Sequence, residues 1–329
     1  MSTATQPNGT PGFLSRHRDS LLIGGLLALV GIGLVGLSQA TDWADIRDHI
    51  LALGPLQIAA LLGLSLVNYL LRGVRWHLFA RRLGLPTTLG QDLRHFLGGF
   101  AMSVTPGRVG ELIRMRWLKR ETGWAVERTA PLVLVDRAAD LAAMAIILAL
   151  GLVLAMSGIA LAVPVVILAL AAAFVVTRPS LLRGCATLFH RLTGRGARLM
   201  ARLRRAAQSL SAFSSLPLMT AAIGLGLIGW FAEGYALHLL LVWMGADIGL
   251  WMAVAIFTFS TLAGGLTGAP GGLGGAEAAM IALLSLEGVP LEVSIPATAI
   301  IRVTTLWFAI GIGACIFPFA ERMSNRATQ

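Results

Sequence analysis

Charge is scarce in this chain: Asp, Glu, Lys and Arg together make up only 13% of its 329 residues. A soluble domain carries about 25% and needs it to cover its surface, so a water-soluble globular fold is excluded. Cysteine is nearly missing, with only Cys185 and Cys315. One falls in a basic loop and the other in the last apolar stretch, without metal-ligand or disulfide spacing. No metal or cofactor is expected. Signatures of familiar chemistry are missing too: there is no P-loop, DxD, HExxH or Ser/His/Asp pattern. The longest soluble stretch is a basic linker, so the chain is not expected to be an enzyme.

Apolar sequence fills the space. Hydrophobic residues reach 56% and the mean hydropathy is +0.78. Apolar stretches lie near 20–38, 55–71, 129–157, 160–177, 217–244 and 293–318, of the length that crosses a hydrocarbon core. The 38 glycines suit helices that approach closely without a hydrophobic drive. Arg16, His17 and Arg18 before Leu21–Leu37, with Ser38-Gln39-Ala40 after it, have the outline of a secretory signal. The run is longer than the ~7–15 residues of such signals, and the topology needs it, so it is read as a span.

Two more apolar stretches, near 95–118 and 250–286, are interrupted by Pro106-Gly107-Arg108-Val109-Gly110 and by Pro270-Gly271-Gly272-Leu273-Gly274. Non-helical backbone at membrane depth must be buried in protein or line a cavity. Each interrupted stretch is therefore read as a re-entrant hairpin of two half-helices, with Pro106, Gly107, Gly110, Pro270, Gly271, Gly272 and Gly274 as the structural breaks. The expected fold is an all-α integral membrane protein of six full spans plus two such hairpins, about eight membrane segments.

The basic residues test this arrangement. With the N-terminus in the cytoplasm, 22 of the 26 Lys and Arg residues fall on the cytoplasmic side, including the whole group from Arg72 to Arg128 apart from Arg108. Arg108, Arg137 and Arg302 fall inside apolar segments, and Arg47 alone lands outside. This is the positive-inside pattern. It places both termini in the cytoplasm and makes the net charge of +10 a topology signal rather than a nucleic-acid footprint. Segment 178–215, with Arg183, Arg191 and Arg198 among Leu181, Leu188 and Leu199, reads as an amphipathic helix on anionic lipid, with a partner-docking surface or a plain linker as alternatives.

The two interrupted regions resemble each other. Pro131 precedes Arg137 by six residues and Pro296 precedes Arg302 by six; Leu141 and Leu306 each follow by four. The halves 1–158 and 159–329 each hold three crossings and one hairpin, so the second half is expected upside down relative to the first. Inverted repeats with broken helices near the midplane are a recurrent transporter design.

TPGRVGELIR and DRAADL within Gly98–Asp140, and the later APGGLGGAE and the Arg302 to Trp307 helix, resemble the transmembrane (flippase) region of lysylphosphatidylglycerol synthases and their stand-alone relatives. The resemblance runs from about Leu21 to Phe319. It implies a multi-span inner-membrane protein that moves lipids between leaflets. Family members fused to a soluble aminoacyl-transferase domain make the aminoacylated lipid there. This sequence stops at Gln329 without one, so lipid aminoacylation is not implied.

Eight residues are singled out as substrate-binding: Arg108, Glu111, Asp136, Arg137, Asp140, Glu233, Glu277 and Arg302. An arginine at membrane depth is costly and usually faces a partner or a wet cavity, and its planar fork suits a lipid phosphate. For Arg137 the alternative is a structural pair with Asp136 or Asp140. Arg302 has no acidic neighbour on its own helix; a partner would come from Glu233 or Glu277. Glu111 and Glu277 follow the breaks, where a first-turn carboxylate satisfies free N–H groups or a half-helix N-terminus faces an anionic headgroup. Glu233 lies in mid-span, with His238 further along, and Asn68 is expected to donate between helices.

The expected function is a lipid transporter of flippase type. A non-catalytic scaffold for a lipid-modifying or glycan-synthesising enzyme, and a membrane-embedded transferase, are the alternatives. Expected partners are lipids with anionic or polar headgroups, with a lipid- or glycan-synthesising enzyme and a second copy of the chain as further candidates, and no nucleic acid.

Overall fold

The computed structural model describes residues 53–103, 105, 109–155, 213 and 215–327, with isolated positions between 164 and 184. These residues fall in one compact unit, Ala44–Gln329. The apolar stretch 20–38, most of 160–177 and most of the basic segment 178–215 lie outside the described residues.

All regular elements among the described residues are helical. Helix α1, Pro55–Leu83, opens on a proline whose fixed φ suits a first turn. Gln57 Oε1 accepts the Gly54 amide at 2.7 Å there. It ends at Gly84, where φ is 84° and no β-carbon resists the left-handed turn. Helix α2, Leu89–Gly98, starts from a reciprocal Thr88–Gln91 cap, with Thr88 N–H donating to Gln91 Oε1 at 2.8 Å and Gln91 N–H to Thr88 Oγ1 at 3.3 Å. A short 3₁₀ turn, Gly99–Met102, follows. Helices α3 (Val109–Thr122), α4 (Val126–Ala155), α5 (Leu216–Trp243) and α6 (Leu250–Leu266) come next. After a second 3₁₀ turn, Pro270–Gly272, the chain forms α7 (Gly275–Leu286) and α8 (Leu291–Arg302). A π turn over Val303–Trp307 joins α8 to α9, Phe308–Arg326, as one 36-residue run.

Four described helices have the length and composition to cross a membrane: α1, α4, α5 and the α8–α9 run. The chain is an all-α, multi-pass membrane protein. Large apolar side chains such as Leu150, Val153, Ile228, Val303 and Phe319 are exposed on these helices, as a hydrocarbon solvent permits.

Helix α1 is longer than the apolar run 55–71 announces, and this corrects the charge map. Arg72 and Arg75 are not loop cations. The helix carries them into the protein, where they are 8% and 0% exposed.

Both interrupted stretches are helical hairpins of short elements, α2–α3 and α6–α7, and each closes on glycine. A β-carbon on Gly110 would stand 2.5 Å from the Gly99 carbonyl oxygen; one on Gly264 would stand 2.7 Å from Ala276 Cβ. The second break turns through Gly271 and Gly272 at φ of 61° and 68°, a region that side chains resist. The landmarks recur at one interval. Gly99 and Gly264, Gly110 and Gly275, Pro131 and Pro296, Arg137 and Arg302, and the helix starts Val126 and Leu291 are each 165 residues apart.

Further polar contacts tie the short helices down. Glu321 on α9 accepts from Trp117 Nε1 and Arg120 Nη1, both at 2.7 Å, and from Arg116. Glu121 takes Arg94 at 2.6 Å and lies 3.2 Å from His95 Nε2. Burial pushes the Glu121 carboxyl up, but His95 and Arg94 outweigh it and hold it below the usual range. Asp92, bonded to His77 at 2.6 Å and Thr87 at 2.9 Å, is instead pushed above its usual range by burial.

Candidate functional site

Two apolar cores form within the unit. One gathers α5, α6, α7, α8 and the end of α4; the other gathers the second half of α1 with α2, α3 and the start of α4. A cavity of about 360 Å³ is bordered by both breaks. Met102, Ser103, Thr105 and Gly110 line it from the first, and Gly268 to Gly272 from the second. Among the described residues, four arginines reach it: Arg72 from α1, Arg114 from α3, Arg137 from α4 and Arg302 from α8.

Asp136 and Asp140 share one face of α4, being four residues apart. Arg75 bridges them: Nε and Nη2 donate to Asp136 Oδ1 at 3.0 and 2.6 Å, and Nη2 also donates to Asp140 Oδ1 at 2.7 Å. Arg72 Nη2 donates to Asp140 Oδ2 at 2.8 Å. Arg137 Nη2 reaches Asp136 Oδ2 at 3.1 Å, and its Nη1 lies 3.5 Å from Asp140 Oδ2. Trp230 Nε1 adds a fourth partner, donating to Asp140 Oδ1 at 3.1 Å. Neither aspartate lines the cavity, whereas Arg72 and Arg137 do. The carboxylates thus hold the guanidiniums at the cavity wall. Breaking such a buried cluster by removing one partner is costly because it strands the others.

Two other arginines are held differently. Arg114, 4% exposed, stacks on Phe96 with its guanidinium carbon 4.3 Å from the ring centre, and lies 5.6 Å from Phe100 and 5.7 Å from Trp76. Gly99 leaves the space that its side chain crosses. Arg302 Nε donates to Glu277 Oε1 at 2.5 Å, and Nη2 donates to the Gly271 carbonyl at 2.8 Å. It therefore spans the second break. Just beyond it, in the π turn, the Thr305 carbonyl accepts the Tyr69 hydroxyl.

Of the residues singled out from sequence, Arg137, Arg302 and Glu233 line the cavity, with Gly110, Pro270, Gly271 and Gly272 from the breaks. Asp136, Asp140 and Glu277 stand behind, bonded to its arginines. Gly274 precedes α7 instead of lining the space. Arg108, Pro106 and Gly107 lie outside the described residues, as does the side chain of Glu111. Glu277 lies in the first turn of α7, and its carboxylate accepts from Arg302, one of the two partners offered for that arginine. Arg137 has the structural pair offered as its alternative and also faces the cavity. Glu233, 4% exposed, has Asn68, Arg72 and Arg302 as its electrostatic neighbours.

Sequence reasoning missed Arg72, Arg75, Arg114, Tyr69 and Trp230. One signal was available. Two aspartates four apart inside an apolar span demand more positive charge than Arg137 alone supplies, and Arg72 and Arg75 were the nearest unassigned cations at the end of an apolar run.

The family described as the lysylphosphatidylglycerol synthase TM region matches residues 21–313. A UPF0104 membrane protein of Methanothermobacter thermautotrophicus is 23% identical over 323 aligned residues, covering 90% of this chain and 95% of its own length. A second UPF0104 membrane protein of that organism is 29% identical over 107 residues, 32% of this chain and 31% of its own length.

Proposed function

The chain belongs to the lysylphosphatidylglycerol synthase transmembrane family, and on that premise we propose that it is a lipid transporter of flippase type. It carries a phosphate-bearing or other polar headgroup between the leaflets of the inner membrane, without altering the lipid chemically. The single observation behind this reading is the cavity of about 360 Å³ with four arginines among the described residues of its wall. Each guanidinium at membrane depth costs ~2.5–3.5 kcal/mol or more. Arginines needed only for packing have no reason to meet around open volume. A guanidinium fork donates two parallel hydrogen bonds to a phosphate, and the acyl chains of a lipid can stay in the surrounding apolar phase.

In this reading α2–α3 and α6–α7 are re-entrant hairpins from opposite faces, both termini are cytoplasmic, and the halves form an inverted repeat. The recurrence of five landmark pairs at an interval of 165 residues supports the repeat. Two mirrored halves can open one central cavity to either side in turn.

The test is lipid retention. Protein purified in native-like nanodiscs should hold a phosphate-headgroup lipid, identified by mass spectrometry, and Arg137→Ala with Arg302→Ala should lose it. Equal retention by wild type and variant overturns the headgroup site and favours a scaffold for a separate enzyme.

A further inference from the structure

The α8–α9 run bridges the two hairpins. Its first part, α8, packs on α7 and carries Arg302, which holds the Gly271 carbonyl of the second break at 2.8 Å. Its second part, α9, packs on α2, α3 and the first 3₁₀ turn. The approach there is close, since a β-carbon on Gly313 would collide with the Ala101 backbone. The π turn, Val303–Trp307, is the joint between the two parts. At its end the Phe308 amide donates to the Val303 carbonyl, five residues back. The Thr304 and Thr305 hydroxyls return to the Ile300 and Ile301 carbonyls at 3.1 and 2.6 Å, a pattern that weakens and bends helices. Such π turns frequently mark functional sites.

The matching stretch of the first half is built differently. At the interval of 165 residues, Val303–Trp307 corresponds to positions 138–142, which are unbroken α-helix within α4. Thr305 corresponds to Asp140. Helix α1 grips both positions. Arg72 and Arg75 hold the Asp140 carboxylate at 2.8 and 2.7 Å, whereas the Tyr69 hydroxyl donates to the Thr305 carbonyl. Tyr69 and Arg72, three residues apart, share one face of α1. A neutral hydrogen bond contributes far less than a buried ion cluster costs to break. The grip of α1 on α4 is therefore lasting, and its grip on the π turn is the one that can let go.

Tyr69 stands where both breaks meet this joint. It is 3% exposed and lines the cavity beside Thr305, Leu306 and Ala309. Its ring meets Phe100 of the first 3₁₀ turn edge-on at 5.2 Å and Phe308 of α9 at 6.1 Å. The ring thus stays with the first hairpin while the hydroxyl holds the joint. We propose that Tyr69 is a positioning residue for transport: its hydroxyl latches the π turn, which sets Arg302 in the cavity wall. Release of this one bond lets α8 swing with the second hairpin while α1 and α4 stay together. The proposal rests on the reading of the cavity as a transport site.

The experiment measures distances between spin labels on the full chain in nanodiscs, with both native cysteines replaced. Leu56→Cys with Leu286→Cys reads α1 against α7, and Leu56→Cys with Val153→Cys reads α1 against α4; all three side chains are exposed. Tyr69→Phe keeps the ring and removes the hydroxyl. It should shift the 56–286 distribution toward a second distance, changing the ratio of the two populations by roughly two- to tenfold, the scale of one neutral hydrogen bond. The 56–153 distribution should stay as in wild type. Tyr235→Phe, at the chain's other tyrosine, should change neither. In proteoliposomes with headgroup-labelled phosphatidylglycerol, Tyr69→Phe should slow translocation by a similar factor. An unchanged 56–286 distribution in Tyr69→Phe, or an equal change in both pairs, overturns the latch. A shifted distribution with wild-type translocation overturns its role in transport. If wild type moves no lipid faster than protein-free vesicles, the transport reading falls, and the distances alone decide whether the π turn is latched.

Discussion

Arg302 reaches across the second chain break to Glu277, with Nε donating to Oε1 at 2.5 Å, while its Nη2 holds the Gly271 carbonyl at 2.8 Å. One guanidinium thus ties the 3₁₀ turn to the first turn of α7. The side chains are 11% and 13% exposed, so the pair is largely withdrawn from water. Glu277→Ala and Arg302→Ala should each lower stability by about 1.5–3 kcal/mol, the range for hydrogen bonds to charged groups. In a double-mutant cycle read by thermal unfolding in detergent, the two losses should be coupled by about 0.5–3 kcal/mol. Additive losses would show that the contact contributes nothing.

Arg75 is the keystone of the second arrangement. It is fully buried and bonded to both Asp136 and Asp140. Arg75→Met should destabilise the protein by about 3–5 kcal/mol because it leaves buried carboxylates short of a partner. Asp136→Asn in the same chain should recover part of the loss. Full stability of Arg75→Met in a melting experiment would contradict the cluster.

The breaks and the two deep arginines were readable in the sequence because Pro, Gly and Arg stand out against apolar spans. What Arg137 and Arg302 touch was readable only as alternatives. Arg137 has its aspartates on its own helix, where spacing reveals them. The partner of Arg302 comes from α7, and nothing in its own helix points there. Arg72 and Arg75 were misread for a related reason. At the end of an apolar run, a cation looks like a loop residue until the helix is seen to continue and a buried acid is seen to receive it. The stacking of Arg114 on Phe96, Phe100 and Trp76 was not legible either, because those rings come from other helices and turns.

Glycine substitutions separate close approach from mere helix content. Gly110→Ala puts a β-carbon 2.5 Å from the Gly99 carbonyl, and backbone cannot step aside. Overpacking of this kind should cost about 1–3 kcal/mol. Gly63 on α1 has nothing within 4 Å of its β-position, so Gly63→Ala should stabilise by about 0.5–1 kcal/mol through helix propensity. Melting temperatures that move in the same direction for both would refute the close crossing of the first hairpin.

Topology has its own check. With both native cysteines replaced, Glu287→Cys and Lys119→Cys present exposed positions in the two halves. A membrane-impermeant thiol reagent added from the periplasmic side should label position 287 and leave position 119 untouched. Labelling of both would break the inverted arrangement.

The central claim is movement of a lipid through the arginine-lined cavity, and translocation in proteoliposomes reads it directly. Vesicles containing the wild-type chain and a trace of headgroup-labelled phosphatidylglycerol should expose inner-leaflet label to an external quencher faster than protein-free vesicles. Arg302→Ala should bring the rate down to the protein-free level while the protein remains folded and inserted. Equal rates for wild type and Arg302→Ala would contradict transport through this site.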